Sequence, residues 1–247
     1  MRITRRFTLS LSLAAAMLAL VPGGIKDAQA ASTDIKNIGI IGAGHVGSTI
    51  GTLWVKAGYH VMFATRHPDE LKSLVEGLGP LASAGTPAEA ASFGQVVMLA
   101  VPYSALPALA KDVGPKVNGK LIINASNPVA RRDGATAQEA LKEGAGKYDA
   151  ALFPDAQVVR TFNTVGMGKV AAEAHKANPP IAVPLAGDDK ASVALASSLV
   201  RDAGLEPVYT GPLSSATLFQ PGGPGWGVTT TAADLRQKLG LSAAAGK

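Results

Sequence analysis

A short apolar run, Ile38-Gly39-Ile40-Ile41, leads at once into Gly42-Ala43-Gly44-His45-Val46-Gly47, and this junction constrains the fold more than any other feature. The glycines follow the spacing G-x-G-x-x-G, which alone is a weak signal. Here they follow a strand-like run and precede Val46, Ile50, Leu53 and Trp54, one face of a helix ending at Gly58. Strand, glycine turn and amphipathic helix in succession are the context that gives the spacing its meaning. Gly42 permits a tight turn, Gly44 lets backbone approach a pyrophosphate, and Gly47 lets helix and strand pack closely. Backbone N–H groups and the helix dipole then favour an anion at the helix start. His45 sits inside the loop, where its backbone matters more than its ring.

The rest of the chain alternates apolar runs with segments of helical period. His60–Ala64 reads as a second strand, and Leu71, Leu74, Val75 and Leu78 follow at helical spacing after Pro68. Further strands are expected at 81–84, 96–101, 121–125, 158–162 and 181–186, with an edge strand at 207–209. Ser104 reads as the N-cap of the helix carrying Leu106, Leu109, Ala110 and Val113. A helix is expected around 136–143, another capped by Asp188 or Asp189, and a short one near 232–239. Apolar runs separated by helices mean strands buried on both faces, hence a doubly wound, mainly parallel α/β sheet. The expected organisation is a leader at 1–30, a dinucleotide-binding domain at 31–220, and a C-terminal loop and short helix at 221–247 packed on that domain.

The end of the second strand distinguishes two dinucleotides. An NAD site usually places Asp or Glu there, about 20 residues past the glycines, for the ribose 2′-hydroxyl. This chain has Thr65 and Arg66, with no carboxylate before Asp69. A hydroxyl and a guanidinium suit a 2′-phosphate, so NADP(H) is expected. Ligands bind beyond the carboxyl ends of parallel strands. The other expected strand ends are Val101-Pro102-Tyr103, Ser126-Asn127-Pro128, Phe162-Asn163-Thr164 and Ala186-Gly187-Asp188. Tyr103 is a candidate wall of the nicotinamide side, and Asn127 and Asn163 offer amides suited to carboxamide or ribose.

Composition narrows the remaining classes. With 28 Gly and 16 Pro in 247 residues, the chain stays below the ~25–30% Gly plus Pro of disordered sequences. It has no Cys, which removes disulfides, thiol nucleophiles and cysteine-ligated metals, and four His argue against a His-rich metal site. The net charge of +5 comes largely from the leader, where Arg2, Arg5, Arg6 and Lys26 face Asp27 alone. The remainder is near neutral and has no basic stripe for nucleic acid. The apolar run from Phe7 to Val21 is too short to span a bilayer, and Ala28-Gln29-Ala30 is a cleavage pattern. A cleaved signal peptide is expected, with Arg5-Arg6 resembling a twin-arginine signal and no membrane anchor left after cleavage. The expected location is therefore the periplasm.

Taken together, the segments 38–47, Ala64-Thr65-Arg66, Val101-Pro102-Tyr103, Asn127-Pro128, Val158–Thr164, Ala186-Gly187-Asp188-Asp189 and Gly211-Pro212-Leu213 resemble the NADP oxidoreductases dependent on coenzyme F420 and their dinucleotide-binding relatives. The resemblance covers residues 36–220. It implies a Rossmann domain with a small C-terminal extension, and NADP bound through the glycine loop and the Thr65-Arg66 pair. It implies hydride exchange with F420 or a flavin-like small-molecule acceptor, and by analogy a homodimer. Hydride transfer between stacked rings needs proximity and orientation rather than a protein acid or base. That agrees with a sequence offering no Ser/His/Asp set, so no catalytic residue is assigned. Hydroxyacid dehydrogenases and pyrroline-carboxylate reductases share the N-terminal half but add a larger helical domain. The rival reading is a non-catalytic NADP-binding module, sensor or carrier, in which the tail near Trp226 would fill the crevice.

Overall fold

A computed structural model of the chain describes residues 35–242. The expected leader at 1–30 lies outside the described residues. The strands are β1 (Asn37–Ile41), β2 (His60–Ala64), β3 (Ala82–Gly85), β4 (Val96–Leu99), β5 (Leu121–Asn124), β6 (Gln157–Arg160), β7 (Ala182–Gly187) and β8 (Glu206–Gly211). They form one sheet in the order β3-β2-β1-β4-β5-β6-β7-β8. The helices are α1 (His45–Lys56), α2 (Lys72–Leu78), α3 (Pro87–Phe93), α4 (Leu106–Val117), α5 (Ala130–Glu143), α6 (Ala145–Leu152), α7 (Met167–Glu173), α8 (Lys190–Asp202) and α9 (Ala232–Lys238).

Alternation along each strand feeds two cores. Ile38, Ile40, Val96, Met98, Ile123 and Val159 join Trp54 of α1 and Leu199 of α8 on one face. Ile41, Val97, Leu99, Ile122 and Val158 meet Leu106, Leu109 and Val113 of α4 on the other. Both faces are covered, which is why the strands read as unbroken apolar runs. On the first face Trp54 is fully buried, and its indole N–H donates to the Leu199 carbonyl at 2.9 Å. Its ring meets Phe162 edge-on, with centroids 5.8 Å apart. Lys120 closes the C-terminal end of α3 by donating to the carbonyls of Ala91 and Gly94, both at 2.8 Å. Beyond β8, α9 lies against Ala182 and Val208 through Leu235 and Leu239.

The strand order turns back between β1 and β4, the switch point at which such sheets open a ligand crevice. The doubly wound, mainly parallel class agrees with the sequence. Three local expectations differ. Strands β4 and β6 end earlier than their apolar runs, at Leu99 and Arg160, because the chain turns into the crevice loops. Ser104 is not the N-cap of α4: it lies in a 3-10 turn at Tyr103–Ala105, and its backbone N–H and hydroxyl engage Asp133. The polar stretch 131–150 holds two helices rather than one, and α5 is kinked at Gly134 (φ 57°).

A larger correction concerns the end of β7. This strand pairs antiparallel with β6, Val159 opposite Gly187 and Arg160 opposite Ala186. Gly187-Asp188 therefore emerges away from the carboxyl ends of β1 to β6 and does not join the crevice. Asp188 instead accepts the Leu213 N–H at 2.9 Å. The β7–β8 pair is parallel within itself but reversed against the rest.

Candidate functional site

The glycine loop closes the carboxyl end of β1. Gly42 has φ 102°, a conformation that favours glycine, and a Cβ there would lie 2.3 Å from the Ala100 carbonyl oxygen. A Cβ on Gly47 would lie 2.0 Å from the Gly42 oxygen. Both glycines are thus required by the protein itself. Gly44 is different. It is the N-cap of α1 with φ −73°, open to any residue, and a Cβ there would meet no atom within 4 Å. Neither backbone conformation nor packing calls for glycine at this point. Its exposed position over the N–H groups of a three-turn helix is a cradle for a close-fitting anion. The residues present therefore fit a dinucleotide pyrophosphate. Ala43 and Val46 are half-buried, while His45 is exposed beside them.

At the end of β2, Thr65 is half-buried and its hydroxyl accepts the His67 N–H at 3.1 Å, folding the turn tightly. Arg66 is exposed. The Gly42 N–H donates to the Ala64 carbonyl at 2.9 Å, which ties this turn to the glycine loop. Thr65 and Arg66 thus lie at the carboxyl end of β2, beside the glycine loop.

The turns after β4, β5 and β6 form the other half. Val101 is half-buried, Pro102 is exposed, and the Val101 N–H donates to the Ser126 hydroxyl at 3.2 Å. Asn127 and Asn163 come together, the Asn127 amide donating to the Asn163 carbonyl at 2.7 Å. The Asn163 amide donates back to Asn127 Oδ1 at 3.1 Å and to the Phe219 carbonyl at 3.2 Å. Asn163 Oδ1 and the hydroxyls of Thr161 and Thr164 are buried without a hydrogen-bond partner. Phe162 between them adopts φ 62°, uncommon for a bulky residue. These groups lie beneath the turn surface, and a strained turn of this kind is a feature that recurs at ligand sites.

Tyr103 does not wall this space. It is fully buried, and its hydroxyl donates to Asp149 at 2.5 Å. Burial and the neighbouring Asp149 carboxylate push its phenol up, so it stays protonated. Its aromatic body belongs to the second core, and the reading from strand-end position alone is corrected. Trp226 is 38% exposed, so its ring is not buried in the crevice.

Sequence reasoning missed the polar groups beneath the turns. Arg160 and Asp149 are fully buried and ion-paired, and Arg160 Nη2 donates to the Ser126 carbonyl at 2.7 Å. Burial pushes the Asp149 carboxyl up, against the pull of Arg160 and of the Tyr103 hydroxyl. Asp133 is also buried. Burial pushes its carboxyl up, but Arg132 and the N–H groups of Val129 and Ser104 outweigh that and hold it low. One signal was available: Arg160 ends a strand that is otherwise Val158-Val159, and a charge in a strand covered on both faces needs a partner.

Comparisons with known proteins agree with this geometry. The model of the family described as NADP oxidoreductase, coenzyme F420-dependent, matches residues 37–128. That span contains the glycine loop, Thr65-Arg66, Val101 and Asn127. The metalloreductase STEAP3 of Rattus norvegicus is 29% identical over 184 residues, 72% of this chain and 34% of that protein. The chain therefore spans about a third of the length of that relative. Among solved structures, a hypothetical protein of Sinorhizobium meliloti is 25% identical with a TM-score of 0.68, covering 79% of this chain and 95% of that one. A protein assigned as an F420-dependent NADP reductase from an Arthrobacter species is 22% identical with a TM-score of 0.65, covering 74% and 87%. The last likeness carries the fold.

Proposed function

We propose that this chain is an NADP(H)-dependent oxidoreductase that moves hydride between the nicotinamide and a second redox carrier of the flavin or F420 class. The observation that carries the reading is Gly44, a glycine that only a ligand requires, set beside a β2 end with no carboxylate. The family match over residues 37–128 supports the nucleotide, and the resemblance of the longer sequence supports the acceptor class.

NADP(H), when bound, supplies or takes up hydride at its nicotinamide ring. The glycine loop and the N-terminus of α1 hold the pyrophosphate. Thr65 and Arg66 hold the 2′-phosphate, with the guanidinium supplying charge-assisted hydrogen bonds. Asn127 and Asn163 flank the nicotinamide end. No side chain is asked to give or take a proton, so the chemistry rests on positioning.

Fluorescence titration of the full chain with NADPH and NADH tests the nucleotide. Arg66→Ala is expected to lose a charge-assisted contact of about 1.5–3 kcal/mol, or roughly 10- to 150-fold for NADPH. NADH affinity is expected to stay unchanged. Equal binding of both nucleotides by the unaltered chain would remove the 2′-phosphate reading. Oxidation of bound NADPH by F420, FMN or FAD, each added singly, then identifies the acceptor. The Arg5-Arg6 leader supports a further element of the proposal: the domain is exported folded, already loaded with NADP(H). With a leader for unfolded export substituted, the exported protein is expected to be empty.

A further inference from the structure

The three turns on the nicotinamide half of the crevice are tied together beneath it by one buried ion pair. Arg160, at the end of β6, directs one guanidinium nitrogen to Asp149 of α6 and donates with the other to the Ser126 carbonyl at 2.7 Å. Asp149 also accepts the Tyr103 hydroxyl, from the turn after β4. The Ser126 hydroxyl accepts the Val101 N–H, closing the circuit between the turns after β4 and β5. Three members sit at the roots of turns: Tyr103 beside Pro102, Ser126 beside Asn127, and Arg160 three residues before Asn163; Asp149 reaches them from α6. Above this level the Asn127 and Asn163 amides bridge the turns after β5 and β6.

A buried ion pair is a poor source of stability, since apolar residues of equal volume often serve as well. A planar guanidinium forked between a carboxylate and a carbonyl is, by contrast, a strong source of geometry. Arg160 spans the turns after β5 and β6, and Asp149 adds the turn after β4. We infer that Arg160, held by Asp149 and Tyr103, is a positioning residue that sets the Ser126-Asn127 turn in register with Asn163 and so shapes the seat of the nicotinamide. It touches neither cofactor nor acceptor. The inference rests on the NADP(H) reading above and adds to it which buried groups make the nicotinamide half competent.

The test separates the two halves of the nucleotide. Adenosine 2′,5′-bisphosphate reaches only the glycine loop and the Thr65-Arg66 turn, whereas NADPH reaches both halves. The full chain is titrated with each, alone and as Arg160→Lys and Tyr103→Phe. A lysine ammonium keeps the charge but lacks the planar fork. Arg160→Lys is expected to leave the bisphosphate affinity within about twofold and to weaken NADPH about tenfold, with a changed emission of the bound nicotinamide. Tyr103→Phe keeps the ion pair and removes one hydroxyl. It is expected to move NADPH in the same direction by about threefold, and it stands as the test if the lysine variant does not fold. An equal loss for both probes would mean a general structural brace and overturn the inference. So would NADPH binding unchanged in both variants. If the unaltered chain binds the bisphosphate and NADPH with equal strength, the nicotinamide half contributes nothing and the inference falls alone. If it binds neither, the NADP(H) reading falls with it.

Discussion

Replacing Gly44 and Gly47 by alanine, one at a time, separates a glycine kept for a ligand from one kept for the fold. A Cβ on Gly44 meets nothing within 4 Å, and φ −73° is open to alanine. The lost N-cap preference of glycine and the reduced freedom of the unfolded chain oppose each other, each worth about 0.5–1 kcal/mol. The net change is expected within about 0.5 kcal/mol, or a Tm shift of no more than about 2 °C in a domain of this size. A Cβ on Gly47 would sit 2.0 Å from the Gly42 oxygen and 3.0 Å from Ile40 Cγ2. Overpacking of this kind costs about 1–3 kcal/mol or more, and the helix propensity gained by alanine returns about 1 kcal/mol. The backbone oxygen cannot rotate aside, so the upper end applies, and Gly47→Ala is expected to lower Tm by about 4–8 °C. The order reverses for binding. Thermal melts with and without NADPH read both effects, because ligand at 100 times Kd adds about 2.7 kcal/mol and each tenfold loss of affinity removes about 1.4. Gly44→Ala is expected to keep its melting point and to lose most of the shift caused by NADPH. If it unfolds as early as Gly47→Ala, the loop is held by packing that the geometry does not contain. If it binds NADPH unimpaired, no phosphate approaches Gly44 and the site is elsewhere.

Three further outcomes follow from groups outside the loop. Lys120→Met removes the ammonium that closes α3 and leaves the Ala91 and Gly94 carbonyls unpaired; with the site half-exposed, a loss of about 1–2 kcal/mol is expected by chemical denaturation. Asp133 is held below the ordinary carboxylate value of about 4, so its stabilising effect is complete above that pH and is lost as pH falls through its lowered value. Asp133→Asn is therefore expected to flatten the acid limb of stability against pH, and an unchanged limb would contradict the assignment. Trp54→Phe keeps most of the buried ring but leaves the Leu199 carbonyl without its donor, for an expected cost of about 1–3 kcal/mol measured as a shift in denaturation midpoint.

The parts of the fold that were legible in the sequence are those governed by local rules. Unbroken apolar runs, helical stripes and the glycine spacing report local geometry, and they placed the loop, β2 and the Asn127 and Asn163 turns at one edge. The reversal of β7 was not legible, because an apolar strand buried on both faces reads the same in either direction. Tyr103 was misplaced for a related reason. Its position at a strand end fixes where its backbone lies, whereas the direction of its side chain depends on Asp149, a partner far along the chain. Asp149 itself sits in a polar stretch that offered no period to read, although Arg160 in β6 implied that a carboxylate had to come from somewhere.

Trp54 has a consequence for how such a site would be sealed. Its indole is fastened to α8 through Leu199 and packed against Phe162, so α1 behind the glycine loop and the turn after β6 meet on one buried side chain. On the proposed reading these are the two sides of the cleft, and a buried ring shared between them opposes their closing like a jaw. Water would then be driven from the reacting face by the arriving acceptor ring itself. The second carrier would act as both substrate and cover, and a bound nucleotide would stay open to solvent until that partner arrived.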